Sequence, residues 1–137
     1  MKNHIVVNVC LVLSMLFVLY FTLRSHPDLG IGDPGARINI TPFESITFDP
    51  VKGLAFNVIG NILLFVPFGL SVAFKVKGKF RLFKVVFWGG LFSFSIEMIQ
   101  LFLPNRWTDI DDIILNTTGT FLGYLLFLMA QVIVPKK

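Results

Sequence analysis

Asn105-Arg106-Trp107-Thr108-Asp109-Ile110-Asp111-Asp112-Ile113-Ile114-Leu115-Asn116 places one Arg and three Asp at the mouth of an apolar run that continues to residue 134. A run of that length, entered through charge, is what a helix needs to cross ~30 Å of hydrocarbon. Reading outward, three further apolar runs of similar length cover residues 5–23, 54–74 and 85–103. Each must satisfy its own backbone hydrogen bonds inside a bilayer, so each is expected to be a helix.

Composition agrees. The 137 residues are 55% hydrophobic and 15% charged, with 16 Phe and a mean hydropathy of +0.78. Soluble domains carry about 25% charged residues. The expected fold is therefore an all-α polytopic membrane protein, a four-transmembrane-helix bundle forming a single domain over residues 1–137. The first run follows Lys2, as a signal peptide would. Its apolar core exceeds the usual ~7–15 residues and Ser25-His26-Pro27 is a poor cleavage site, so it is read as a retained helix. Cys10 is the only cysteine, which excludes an intrachain disulfide and a Cys/His zinc cluster.

Charge sets the expected orientation. Lys75, Lys77, Lys79, Arg81 and Lys84 crowd the second connection, and Lys2, Lys136 and Lys137 mark the termini. Asp28, Asp33, Glu44, Asp49, Asp109, Asp111 and Asp112 fall in the other two connections. The positive-inside rule then gives an N-in/C-in topology, with the outer loop 24–53 and the third connection outside. The net charge of +4 is a topology signal here. No basic face interleaves with aromatics, so nucleic acid is not an expected partner.

Polar residues inside the runs cluster by depth. Asn57 and Asn61 are four apart and share a helix face, ~5 and ~10 Å below the outer start of their run. Ser93, Glu97 and Gln100 also share a face, with Glu97 ~9 Å and Gln100 ~5 Å from its outer end. Asp112, Asn116, Gly119 and Gly123 form a face that turns from polar to small with depth, suited to close helix packing. Pro67 is expected to kink its helix. In the expected topology Asn57, Asn61, Glu97, Gln100, Arg106, Asp109, Asp112 and Asn116 all meet at the outer end.

Those residues also carry a resemblance. Arg37-Ile38-Asn39-Ile40-Thr41-Pro42-Phe43, the Asn57–Gly69 stretch with Asn61 and Pro67, Ser95-Ile96-Glu97-Met98-Ile99-Gln100, and residues 106–123 agree in order and spacing with the VanZ-like family. Thr41 stands where that family more often has an aliphatic residue. Pro104-Asn105 replaces a common Gly-Arg pair before the next helix. The resemblance implies a small multi-pass protein of the bacterial inner (plasma) membrane. It also implies a role in the cell envelope and in glycopeptide (teicoplanin-type) antibiotic resistance.

Each polar group has a structural explanation beside the functional one. Thr108 as N-cap with Asp111 at N3 fits a capping box, and acids suit a helix N-terminus. Glu97 with Arg106 would make an ion pair pinning two helices. Asn57, Asn61 and Gln100 would serve as interhelical hydrogen bonds of ~0.6 kcal/mol each. As a group, they favour a pocket, since intramembrane ionisable residues are functional candidates by default.

Three functional readings compete. In the first, the pocket binds or shields an outer-leaflet membrane lipid, envelope precursor or lipoglycopeptide, with Arg106 gripping a phosphate or carboxylate bidentately. In the second, the chain is a membrane enzyme acting on lipid-linked phosphate. Glu97, Asp109 and Asp112 would then be the catalytic candidates, holding a divalent cation or acting as acid and base. His4 and His26 sit in no nucleophilic arrangement. The third, a small transporter, ranks last, since four helices are few for a carrier unless the chain forms an oligomer.

Overall fold

The computed structural model describes residues 2–23, 38–43, 58–103 and 108–133. Four helices follow in order: α1 (Lys2–Leu23), α2 (Gly60–Lys75), α3 (Arg81–Gln100) and α4 (Ile110–Ile133). α1, α3 and α4 are long and apolar enough to cross a membrane. α2 has 16 residues, and a π-helical turn at Val58 and Ile59 precedes it. The all-α expectation stands, with one addition. Two two-residue strands, β1 (Ile38–Asn39) and β2 (Thr108–Asp109), pair in parallel, Ile38 opposite Thr108 and Asn39 opposite Asp109.

Helix bounds differ from those expected. α3 starts at Arg81, not at residue 85, and ends at Gln100, short of 103. Arg81 tolerates the earlier start because its guanidinium lies 4.8 Å from the centre of the Phe127 ring, so its stem covers apolar surface while its charge is held by the ring face. α4 starts at Ile110, not 113, because acids in a first turn complement the helix dipole. The expected start of the second run, residues 54–57, lies outside the described residues. α2 runs unbroken through Pro67.

α2 and α4 form the closest pair, α3 joins α4, and α1 rests mainly on α2 while barely touching α3. Glycine permits the α2–α4 approach. A Cβ on Gly69 would overlap the backbone of Thr120, one on Gly119 the backbone of Ile62, and one on Gly123 the backbone around Val66 and Leu70. The face read as small-with-depth is thus the packing face. Around it lies a core of Val18, Phe65, Phe68, Val72, Ala73, Val85, Ile96 and Phe127. Phe68 and Phe92 rings sit 4.9 Å apart, and Phe74 meets Phe127 edge-on at 4.9 Å.

The outside is as apolar as the inside. Leu13, Phe17, Phe87, Trp88 and Phe94 are all exposed, which suits a hydrocarbon surround and would be an aggregation hazard in water. Hydroxyls in the helices close on their own backbone. Thr22 donates to the Val18 carbonyl, Ser71 to Pro67 and Thr120 to Asn116. No water is needed to satisfy them.

The helices alternate in direction. The end of α1, the start of α2, the end of α3 and the start of α4 therefore gather at one end of the bundle, with β1 and β2. The basic turn between α2 and α3 occupies the other end. That turn reverses through left-handed Gly78 and Phe80, at φ 86° and 63°. Lys75 Nζ there donates to Asn8 Oδ1 of α1 at 2.8 Å.

Candidate functional site at one end of the bundle

The polar end is built on α4. Asp109 ends β2, and its Oδ1 accepts the N–H of Asp111 at 2.9 Å. That is an N-cap geometry, closing one of the orphan donors of the first turn. The expected capping box therefore needs correction. Thr108 is a strand residue whose hydroxyl donates to the Glu97 carbonyl at 3.3 Å, and Asp109 takes the cap. With the helix starting one residue later, Asp111 cannot sit at N3.

Asp111 does something else. It is 1% exposed, and its Oδ1 accepts the N–H of Phe43 at 2.6 Å. Phe43 has φ 68°, a left-handed conformation uncommon for a non-glycine residue. The carboxylate thus holds a turned chain segment against the start of α4. Asn39 adds a second tie, donating from Nδ2 to Asp109 Oδ1 at 3.2 Å while its Oδ1 accepts the Thr41 N–H at 3.0 Å. Residues 38–43 are clasped to the helix start by both elements of the sequence pattern, the Asn and the turn after Pro42.

Glu97 lies below this clasp. It is 2% exposed, and its Oε2 accepts the Asp109 N–H at 3.0 Å. An intramembrane carboxylate needs such donors. Asp112 turns toward α2, where its Oδ1 accepts from Asn61 Nδ2 at 2.6 Å. One turn deeper, Asn116 is 1% exposed and donates from Nδ2 to Ser93 Oγ of α3 at 2.9 Å. Gln100 turns toward α1, donating to the Thr22 carbonyl at 2.9 Å. Among the described residues, Gln100 Oε1 and Asn116 Oδ1 are buried acceptors that receive no hydrogen bond.

Of the eight expected site residues, Asn61, Glu97, Gln100, Asp109, Asp112 and Asn116 are therefore at the same end. Asn61–Asp112 and Glu97–Asp109 are direct contacts. Gln100 and Asn116 point their amide donors at α1 and α3. Asn57 and Arg106 lie outside the described residues, and with them the expected Glu97–Arg106 pair. Residues outside the expected site are Asn39, Thr22, Asp111, expected only as part of a cap, and Ser93, expected only to share a face with Glu97 and Gln100. Asn39 had a signal, a polar residue between Ile38 and Ile40 in an extended segment. Thr22 had none, since only its carbonyl takes part. No group of three or more His, Cys, Asp or Glu among the described residues is placed to hold a metal ion.

This arrangement can do two things. It locks four helix ends and a chain segment into one unit. It also gathers carboxylates and amide oxygens at one end of an apolar bundle, with Glu97, Gln100, Asp111 and Asn116 buried and Asn61, Asp109 and Asp112 half-buried. Comparison with known proteins shows where such an arrangement belongs. The chain is 37% identical over 92 residues, 66% of its own length, to Protein VanZ of Enterococcus faecium. It spans about half the length of that relative, the match covering 52% of it. No solved structure matches the chain. The sequence pattern of VanZ/LLP1 matches residues 7–131, which takes in all four helices and both strands but for the outermost residues. The chain belongs to the VanZ/LLP1 family.

Proposed function

We propose that the polar end of the bundle faces outward at the bacterial plasma membrane and engages the polar head of an envelope component at the outer leaflet. That component is a membrane lipid, a lipid-linked precursor or a lipoglycopeptide of the teicoplanin type. The observation that carries this reading is the convergence of Asn61, Glu97, Gln100, Asp109, Asp112 and Asn116 at one end, opposite the lysine-rich turn. The positive-inside rule supports the orientation. Family membership supports an envelope and antibiotic-resistance context.

Binding ranks above catalysis because each carboxylate with a described partner accepts a hydrogen bond that holds the fold. A general base needs a lone pair turned toward substrate. In the binding role Arg106 grips an anionic group, and the amides orient it.

The test is expression in a teicoplanin-susceptible bacterium. The intact chain is expected to raise the inhibitory concentration. Arg106→Ala should abolish the effect at unchanged protein amount, and Glu97→Gln should retain most of it. A protective Arg106→Ala would sink the pocket as the site. Loss in Glu97→Gln alone, with folding intact, would favour the catalytic reading.

A further inference from the structure

α1 and α3 both lean on α2 but scarcely on each other. The space between them is a groove of about 450 Å³. Phe68 and Val72 of α2 form its floor. Leu11 and Met15 form the α1 wall, and Trp88 and Phe92 the α3 wall. Its lining is apolar except at the ends, where Lys75 lies at the mouth and Ser95 at the far limit. Ser95 already donates to the Leu91 carbonyl, so the deep end offers no free donor.

Charge is therefore confined to one end of an otherwise apolar slot. Lys75 uses one of its three donors on Asn8, and Lys77, Lys79 and Lys84 follow within the same turn and first helical turns. The slot is long as well as narrow. Counting from Arg81, Trp88 lies ~10 Å and Ser95 ~21 Å along α3. A transmembrane helix of ~10 Å diameter would need ~1,600 Å³ over ~20 Å of length, more than three times the groove. A single extended hydrocarbon chain suits that volume.

We infer that the α1–α3 groove is a binding site for an anionic phospholipid, its acyl chain between Leu11, Met15, Trp88 and Phe92 and its phosphate on Lys75. Basic pockets between membrane helices hold anionic head groups in this way. The chain supplies the wall that α1 lacks against α3, so the lipid joins a helix pair that the protein leaves apart. The charged mouth of the groove is at the other end of the bundle from the polar clasp, its far limit at Ser95 lies short of it, and no residue of its lining belongs to the clasp; the proposal is independent of the function proposed for that clasp.

Trp88 makes the site measurable. The chain has two Trp, so Trp107→Phe leaves Trp88 as the sole tryptophan, excited at a wavelength that Tyr20 and Tyr124 do not absorb. The protein is placed in vesicles holding equal mole fractions of phosphatidylglycerol and phosphatidylcholine, with mid-chain bromines on one or the other. Bromines ~10 Å below the head group stand level with Trp88. Brominated phosphatidylglycerol is expected to quench Trp88 several-fold more effectively than brominated phosphatidylcholine. Lys75→Gln should bring the two lipids to within twofold of each other, Lys75→Arg should restore the difference, and Lys79→Gln should leave it. Equal quenching by both lipids in the unsubstituted background would overturn the proposal. So would absence of quenching by either lipid together with disulfide cross-linking between copies in a Cys10→Ser background through Leu91→Cys, a position in the groove lining, which would put a second copy in the groove.

Discussion

Gly119→Ala tests the crossing on which the polar end depends. The new methyl would overlap the Ile62 carbonyl oxygen and stand 2.9 Å from its carbonyl carbon. Both belong to backbone, so no flexible side chain can swing aside, and α2 and α4 must separate. Overpacking a close contact costs ~1–3 kcal/mol, and backbone on the far side puts this case near the top. Alanine recovers ~1 kcal/mol of helix propensity. The net expectation is a loss of about 2 kcal/mol, roughly a thirtyfold shift in the folding equilibrium. Gly60→Ala is the control, because a Cβ there meets nothing within 4 Å; it should be neutral or slightly stabilising. Reversible unfolding in mixed detergent micelles compares the two. If Gly119→Ala is as stable as Gly60→Ala, the close α2–α4 approach is wrong. The contact between Asn61, next to Ile62, and Asp112, two turns from Gly119 toward the polar end, would then be wrong with it.

Other expectations concern the clasp and the orientation. Asp111→Ala removes a charged acceptor from the Phe43 N–H; at ~1.5 kcal/mol for the low end of such bonds and 1.4 kcal/mol per decade, hydrogen exchange at that amide should quicken about tenfold, and Asp111→Asn should quicken it less. Unchanged exchange in Asp111→Ala would remove the clasp. A double-mutant cycle of Asn61→Ala and Asp112→Ala should give a coupling of ~0.6–1.7 kcal/mol, the range for hydrogen bonds between membrane helices; strict additivity would show the pair does not interact. In a Cys10→Ser background, a membrane-impermeant thiol reagent on intact cells should label Ile40→Cys and spare Lys77→Cys. The reverse pattern would invert the protein and place the polar end inside.

What the sequence disclosed followed from local rules. Hydropathy located α1, α3 and α4, since a bilayer leaves a long apolar run little choice but helix. The face of Asp112, Asn116, Gly119 and Gly123 was legible because helical periodicity is a property of the run itself. The start of α2 was less so. Glycine and asparagine spread polarity over residues 57–61, so no apolar edge marks where the helix begins. Asp111 was misread for a different reason. A Thr-x-x-Asp pattern looks like a local cap, whereas its carboxylate serves Phe43, 68 positions away. Gln100 likewise reaches Thr22 across 78 positions. Helix periodicity says which residues share a face, but not which neighbour that face meets. The two-residue parallel pairing escaped notice because strands that short leave no alternation to detect.

That pairing also sets an order of biogenesis. Asn39 and Asp109 stand 70 positions apart, with α2 and α3 between them. Ribosomes deliver the chain N-terminus first, so residues 38–43 arrive at the membrane surface before any partner for them exists. Two helices must insert, and the segment after α3 must reach the same face, before Asp109 and Asp111 can capture the waiting strand. The clasp thereby marks completion: a nascent chain arrested before α4 lacks Asp109 and Asp111, the carboxylates that take Asn39 and the Phe43 amide in the finished fold.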